Sequence, residues 1–248
     1  MSVFEKLLKT RENFGAGYLV LIDPDKLSTE KIPAFMQDVH TASVDGILIG
    51  GSLLLNSDLE NFVGTIKEHS GSIPVILFPG GVHQITAKAD AILFLSLISG
   101  RDAQHIIGNQ VIAAPLIRKS GLESISTAYM MIDSGRQTSA QFMTGTLPLP
   151  RNKPEIVVAH ALAAQYIGFQ FIYLEGGSGA EMSVPTEIIH AVSSIVNLPV
   201  IVGGGIRTPE EAQEKVTAGA SFIVTGNVLE KSNDPELMKS LSQAIHQK

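Results

Sequence analysis

Two carboxylates and an ammonium stand within four residues at Asp23-Pro24-Asp25-Lys26, directly after an apolar run. Such a cluster suits Mg2+, which takes one or two carboxylates and completes its shell with water and phosphate oxygens. Ser52, after the next apolar run, offers a hydroxyl to the same ion. Asp-Pro-Asp is equally good turn chemistry, so both readings stand at this point. A second group is made of glycines. Gly203-Gly204-Gly205 closes one apolar run and Gly226-Asn227 closes the next. Backbone N–H groups approach a phosphate most closely where no Cβ intrudes, and the helices that follow aim their positive ends at the same point. Gly176-Gly177-Ser178-Gly179 follows a third run. Together these loops favour phosphate binding over simple chain reversal. Glu175 ends that third run and could bind or deprotonate a substrate hydroxyl, or form a salt bridge across the site. Tyr173 lies two residues earlier, on the same face of a strand. The seven histidines stand singly, none at metal-ligand spacing, and Arg207 could meet a phosphate but reads better as a surface charge at a helix entry.

The elements that must hold these residues recur regularly. Eight apolar runs cover residues 18–22, 46–50, 74–78, 91–95, 126–132, 169–174, 198–203 and 221–226. They show little in/out alternation, as expected of strands buried on both faces. Their starts recur about every 29 residues, the size of a strand, a loop and a helix. Helical patterns fall at 28–43, 56–68, 102–119, 154–167, 185–196, 208–218 and 234–247, with Pro115 expected to kink or end the third of these. Eight such units favour an α/β fold of the (β/α)8 TIM-barrel type, a single domain over 1–248, with its site at the C-terminal ends of the strands. One unit is thin, since only twelve residues separate Phe78 from Ala91, and a groove could open on that flank. Segment 133–153 is a long polar connection that suits a lid or, through Phe142, an interface.

Composition narrows the class. Among the 248 residues there is no Cys, which excludes a disulfide scaffold, a thiolate metal site and a cysteine nucleophile. A net charge of −6 with 17% charged residues argues against nucleic acid as a partner. The first residues, MSVFEKLLKTRENF, lack a continuous apolar core, so no signal peptide and a cytoplasmic location are expected.

Taken in order, LIDPDK, GGS, FPGG, PRNKPEI, YLEGGSGA, VGGGIRTPEEA and TGN closely resemble the geranylgeranylglyceryl phosphate synthase family, along nearly the whole chain. The glycine-rich form after Glu175 looks like the group II branch rather than group I, which includes the heptaprenylglyceryl phosphate synthases. The resemblance implies a barrel with a reduced third helix. It also implies a Mg2+-dependent reaction in which the C3 hydroxyl of sn-glycerol 1-phosphate attacks C1 of geranylgeranyl diphosphate. By motif match, Asp23 and Ser52 are the implied Mg2+ ligands. Tyr173, Leu174, Glu175, Gly176, Gly177, Ser178, Gly179, Gly204, Gly205, Gly226 and Asn227 are the implied glycerol-phosphate site. Glu175 and Lys26 are the catalytic candidates. Leu21 stands where group I members carry Lys, which leaves Lys26 as the candidate replacement. Phe78 and Phe94 are candidate walls for the prenyl chain, or ordinary barrel packing. The family implies a homo-oligomer, dimer or hexamer, with transient contact at a membrane surface for the lipid substrate. Two alternatives stay open: another phosphate-binding barrel enzyme, acting on a sugar phosphate or through a flavin, and a non-catalytic phosphate or lipid binder.

Overall fold

Each of the eight apolar runs forms a strand: β1 (Gly17–Ile22), β2 (Gly46–Ile49), β3 (Val75–Leu77), β4 (Ala91–Leu97), β5 (Glu123–Met131), β6 (Phe171–Glu175), β7 (Val200–Gly203) and β8 (Phe222–Thr225). A computed structural model describes residues 1–55, 58–231 and 235–247, without the side chains of residues 230, 231 and 235. The strands pair in parallel in sequence order, and β8 closes on β1 through Gly17–Phe222 and Leu19–Val224. The expected (β/α)8 barrel is therefore the fold.

Two apolar layers hold it. Side chains facing outward from the strands, such as Val20, Ile49, Ile172 and Val202, pack under the helices against residues such as Met36, Val63 and Ile188. Side chains facing inward, among them Leu19, Leu48, Ile125, Phe171 and Phe222, fill the barrel interior. Helix α1 (Val3–Phe14) lays Leu7 against that interior core at the N-terminal mouth, with Ser2 and Glu5 forming a capping box at its start.

The outer ring continues with α2 (Ile32–Thr41), α3 (Leu59–His69), α4 (Asn109–Ser120), α5 (Ser139–Thr144), α6 (Pro154–Ile167), α7 (Thr186–Ile195), α8 (Pro209–Thr217), α9 (Asn227–Lys231) and α10 (Pro235–Ile245). The helix expected over 28–43 starts late: Thr29–Lys31 form a 3-10 turn, and Ser28 makes no side-chain cap. Pro33 accounts for this, because proline is at home only in a first turn, and it occupies one here. The helix expected over 102–119 opens as a π turn at Gln104–Gly108. It then runs through Pro115 to Ser120 instead of ending there. Pro115 and Val111 are both exposed, so the missing hydrogen bond falls on the outer side of the helix. Asn56 and Ser57 of the expected 56–68 helix, and Asp234 of the last one, lie outside the described residues. Between β3 and β4 the covering helix is replaced by one 3-10 turn, Val82–Gln84, as the short spacing predicted. No helix among the described residues is long and apolar enough to cross a membrane.

Candidate active site

A cavity of about 750 Å3 opens at the C-terminal ends of the strands. Three parts of the ring meet in it. Asp23, Lys26 and Ser52 line one corner, and Gly177, Ser178, Gly179, Gly204, Gly205, Gly226 and Asn227 line a glycine-rich wall that runs round to that corner where β8 meets β1, with Tyr173 and Glu175 also lining the cavity. The cavity continues along Phe78, Val82, Ile85, Phe94, Ala113 and Met143, past the turn that stands in for the third helix. One of the expected glycerol-phosphate residues is placed elsewhere. Leu174 points outward into the helix-facing core, because strand neighbours alternate sides, whereas Gly176 lies behind the cavity lining with its amide donating to the Gly203 carbonyl at 2.9 Å.

At the acidic corner, Asp23 closes the turn after β1 by accepting a hydrogen bond from the Asp25 amide at 3.1 Å. Its other oxygen lies 3.1 Å from Lys26 Nζ. Asp25, which does not line the cavity, accepts from the Leu55 amide at 2.8 Å. The DPDK cluster is therefore a turn and a charged corner at once. Asp23 supplies a carboxylate and Ser52 a hydroxyl, a hard-oxygen set that fits Mg2+ once phosphate oxygens and water are added. Among the described residues no group of three or more His, Cys, Asp or Glu side chains is placed to hold a metal ion.

On the glycine wall, Gly204 has φ +82 and Gly205 φ +76, a backbone that other residues rarely adopt. A Cβ on Gly204 would stand 2.4 Å from Glu175 Oε1. Ser178 and Asn227 tie the loops after β6 and β8 together, Asn227 Nδ2 donating to Ser178 Oγ at 3.0 Å. Arg207 is exposed at a helix entry, as expected, yet it also lines the cavity. Its guanidinium donates to the carbonyls of Ala180 (2.7 Å) and Glu181 (3.2 Å), bracing the loop after β6.

Glu175 is buried and accepts the Gly177 amide at 2.5 Å. Burial pushes its carboxyl up to about 7, even though the Gly177 N–H and the neighbouring Tyr173 hydroxyl favour the charged form. Tyr173 is fully buried, and among the described residues its Oη lies against the Glu175 carboxylate without a well-formed hydrogen bond. Burial and the Glu175 carboxylate hold that phenol well above its usual range, so it remains a hydroxyl. A loosely held hydroxyl next to a carboxylate poised near neutrality, both lining a cavity, makes a receptor for a polar group that carries a proton. Phe78 stacks on Tyr173 with ring centroids 5.1 Å apart, and Tyr129 packs against both. Phe78 is thus a wall of the site as well as barrel packing. Tyr129, within the apolar run 126–132, carried no sequence signal beyond being a tyrosine in a buried strand.

Comparison with known proteins agrees with this geometry. The PcrB family pattern matches residues 6–245. A geranylgeranylglyceryl phosphate synthase of Spirosoma linguale is 46% identical over 231 residues, 93% of this chain and 92% of the relative. The crystal structure of (S)-3-O-geranylgeranylglyceryl phosphate synthase from Thermoplasma acidophilum, in complex with its substrate sn-glycerol-1-phosphate, superposes with a TM-score of 0.91 at 32% identity, covering both chains fully. The corresponding enzyme of Thermoplasma volcanium gives 0.90 at 33%, covering 100% of this chain and 99% of that one. The barrel, the cavity at its C-terminal mouth and these likenesses converge: the chain belongs to the PcrB family, among the geranylgeranylglyceryl phosphate synthases.

Proposed function

We propose that this chain, acting as one barrel domain, joins the C3 hydroxyl of sn-glycerol 1-phosphate to C1 of geranylgeranyl diphosphate, giving geranylgeranylglyceryl phosphate and diphosphate. The observation that carries the reading is the position of Glu175. It stands against Gly204, in the same cavity as the Asp23–Ser52 corner and the apolar arm. The glycine loops hold the phosphate of the acceptor through backbone N–H groups. Tyr173 Oη and Glu175 orient its hydroxyl. As the new C–O bond forms at C1, the bond from C1 to the diphosphate oxygen breaks and the hydroxyl proton passes to Glu175. A carboxyl with a pKa of about 7 is well matched to that role near neutrality. Asp23 and Ser52 would hold Mg2+, which when bound supplies positive charge to the departing diphosphate. Lys26, beside Asp23, adds an ammonium on the same side. Phe78, Val82, Ile85 and Phe94 would bed the prenyl chain, whose burial contributes about 0.8 kcal/mol per CH2.

Relatives with this name along almost the full length favour the transferase over a sugar-phosphate or flavin enzyme and over a passive binder. The chain would work in the cytoplasm and take its prenyl substrate from a membrane surface. It would also self-associate, with the exposed Phe142 and Leu147 of the 133–153 connection as interface candidates. Incubation with radiolabelled sn-glycerol 1-phosphate, Mg2+ and a ladder of prenyl diphosphates tests the reaction. Label should move to the organic phase, most of it with the C20 donor. A folded protein that binds glycerol phosphate and transfers no label would refute the proposal.

A further inference from the structure

Gln84 lies in the 3-10 turn that replaces the third helix, and it is 2% exposed. Its side-chain amide spans two loops. Nε2 donates to the Gly51 carbonyl at 2.9 Å, and Oε1 accepts from the Gly80 amide at 3.0 Å and, more weakly, from the Gly51 amide at 3.5 Å. A donor on one side and an acceptor on the other fix which way the amide faces. Gln84 thereby grips both backbone groups of Gly51, as a neighbouring strand would. The loops it joins pass very close together, since a Cβ on Gly80 would stand 2.3 Å from the Gly51 carbonyl oxygen. Gly51 is followed directly by Ser52, and a Cβ on Gly51 would meet Asp23 Oδ1 at 3.4 Å. The clamped peptide therefore bears one oxygen ligand of the proposed Mg2+ corner and packs against the other.

We infer that Gln84 is a positioning residue that sets the divalent-cation and diphosphate corner through its grip on Gly51, and does not act on the glycerol-phosphate side. This rests on the assignment of Asp23 and Ser52 under the proposed function. Gln84 bonds the loops after β2 and β3, whereas the glycine loops follow β6, β7 and β8. Once the clamp is lost, Ser52 and Asp23 no longer hold a fixed separation, and the cation must organise them as it binds. The preorganised part of its affinity is then forfeited.

The test is Mn2+ binding followed by electron paramagnetic resonance, with inorganic diphosphate saturating, on the wild type, Gln84→Met and Gln84→Asn. Met keeps the length and removes both hydrogen bonds. Asn keeps the amide, is one methylene too short to reach both loops, and guards against a misfolded Met variant. Both variants should bind Mn2+ roughly tenfold more weakly, as expected for lost buried hydrogen bonds. Their dissociation constant for sn-glycerol 1-phosphate, measured calorimetrically without metal, should stay within twofold of wild type. Unchanged Mn2+ affinity in folded variants would overturn the inference. So would equal weakening of Mn2+ and glycerol phosphate, which would mark a general packing role. A wild type that binds no Mn2+ with diphosphate would instead remove the metal assignment on which the inference stands.

Discussion

At the N-terminal mouth of the barrel, helix α1 lies across the strands, and Glu123 accepts hydrogen bonds from the amides of Val3 (2.5 Å) and Phe4 (2.9 Å). Phe4, Phe171 and Phe222 meet edge to face beneath it. Asp45 accepts from the Tyr18 amide at 2.7 Å and pairs with His246 at 2.8 Å, while Phe14 stacks on the His246 ring. Every polar group named here has a partner. At the C-terminal mouth, by contrast, a buried tyrosine hydroxyl makes no well-formed hydrogen bond among the described residues, and burial pushes a glutamate carboxyl up to about 7. One mouth is satisfied from within the chain. The other leaves its polar groups for something that enters, and its intrinsic stability is lower for that reason.

The sharpest way to break this contrast is Glu175→Gln. Turnover should fall about a thousandfold in the label-transfer assay, the scale of a lost general base. The fold should gain stability. Because the folded-state pKa of Glu175 is raised from 4.5 to about 7, its stabilising contribution is full below pH 4.5 and is lost as pH rises through 7. At pH 8 the variant should therefore resist urea better than the wild type by up to about 3 kcal/mol, and at pH 4 it should show no gain. In the wild type, kcat/KM should climb through about pH 7 and level off above it. Phe222→Ala, at the closed mouth, should behave in the opposite way. It should cost about 3–5 kcal/mol in urea unfolding with both KM values unchanged at a temperature where the variant stays folded. Gly204→Ala should do both kinds of harm. The added Cβ meets Glu175 and the Gly177 amide at a positive φ, which should cost about 1–3 kcal/mol and raise the KM for glycerol phosphate. The smallest effect is expected from His246→Ala. Loss of its pairing with Asp45 should lower unfolding free energy by about 1 kcal/mol and leave kinetics untouched.

The same contrast explains what the sequence could disclose. Parallel strands buried on both faces read as unbroken apolar runs, so all eight were visible, and a missing helix was visible as a gap of twelve residues. Asp23, Glu175 and the glycines were legible because each ends a strand, and strand ends in a barrel share one mouth. Gln84 was not, since its importance lies in two backbone partners, Gly51 and Gly80, of which Gly51 is 33 residues away. Arg207 looked like any helix-entry charge, because the carbonyls it braces come from the loop after β6, set beside it by the pairing of β6 with β7. The late start of α2 was a matter of weighing: Pro33 was in view, but Ser28 offered a competing start signal that the backbone does not use.

The turn at Val82–Gln84 also bears on how such a barrel can diversify. Elsewhere on the ring a covering helix locks each strand to its neighbours, so a change in bulk on the outer wall is felt by the core. Here the wall is a single turn, and Val82 and Ile85 line the apolar arm. Substitutions at these two positions can deepen or shorten the bay while the carboxylate, the glycine loops and the acidic corner stay in register. If the arm beds the prenyl chain as proposed, cargo and chemistry are adjustable separately. Gln84, between them, is the pivot that such drift has to leave in place.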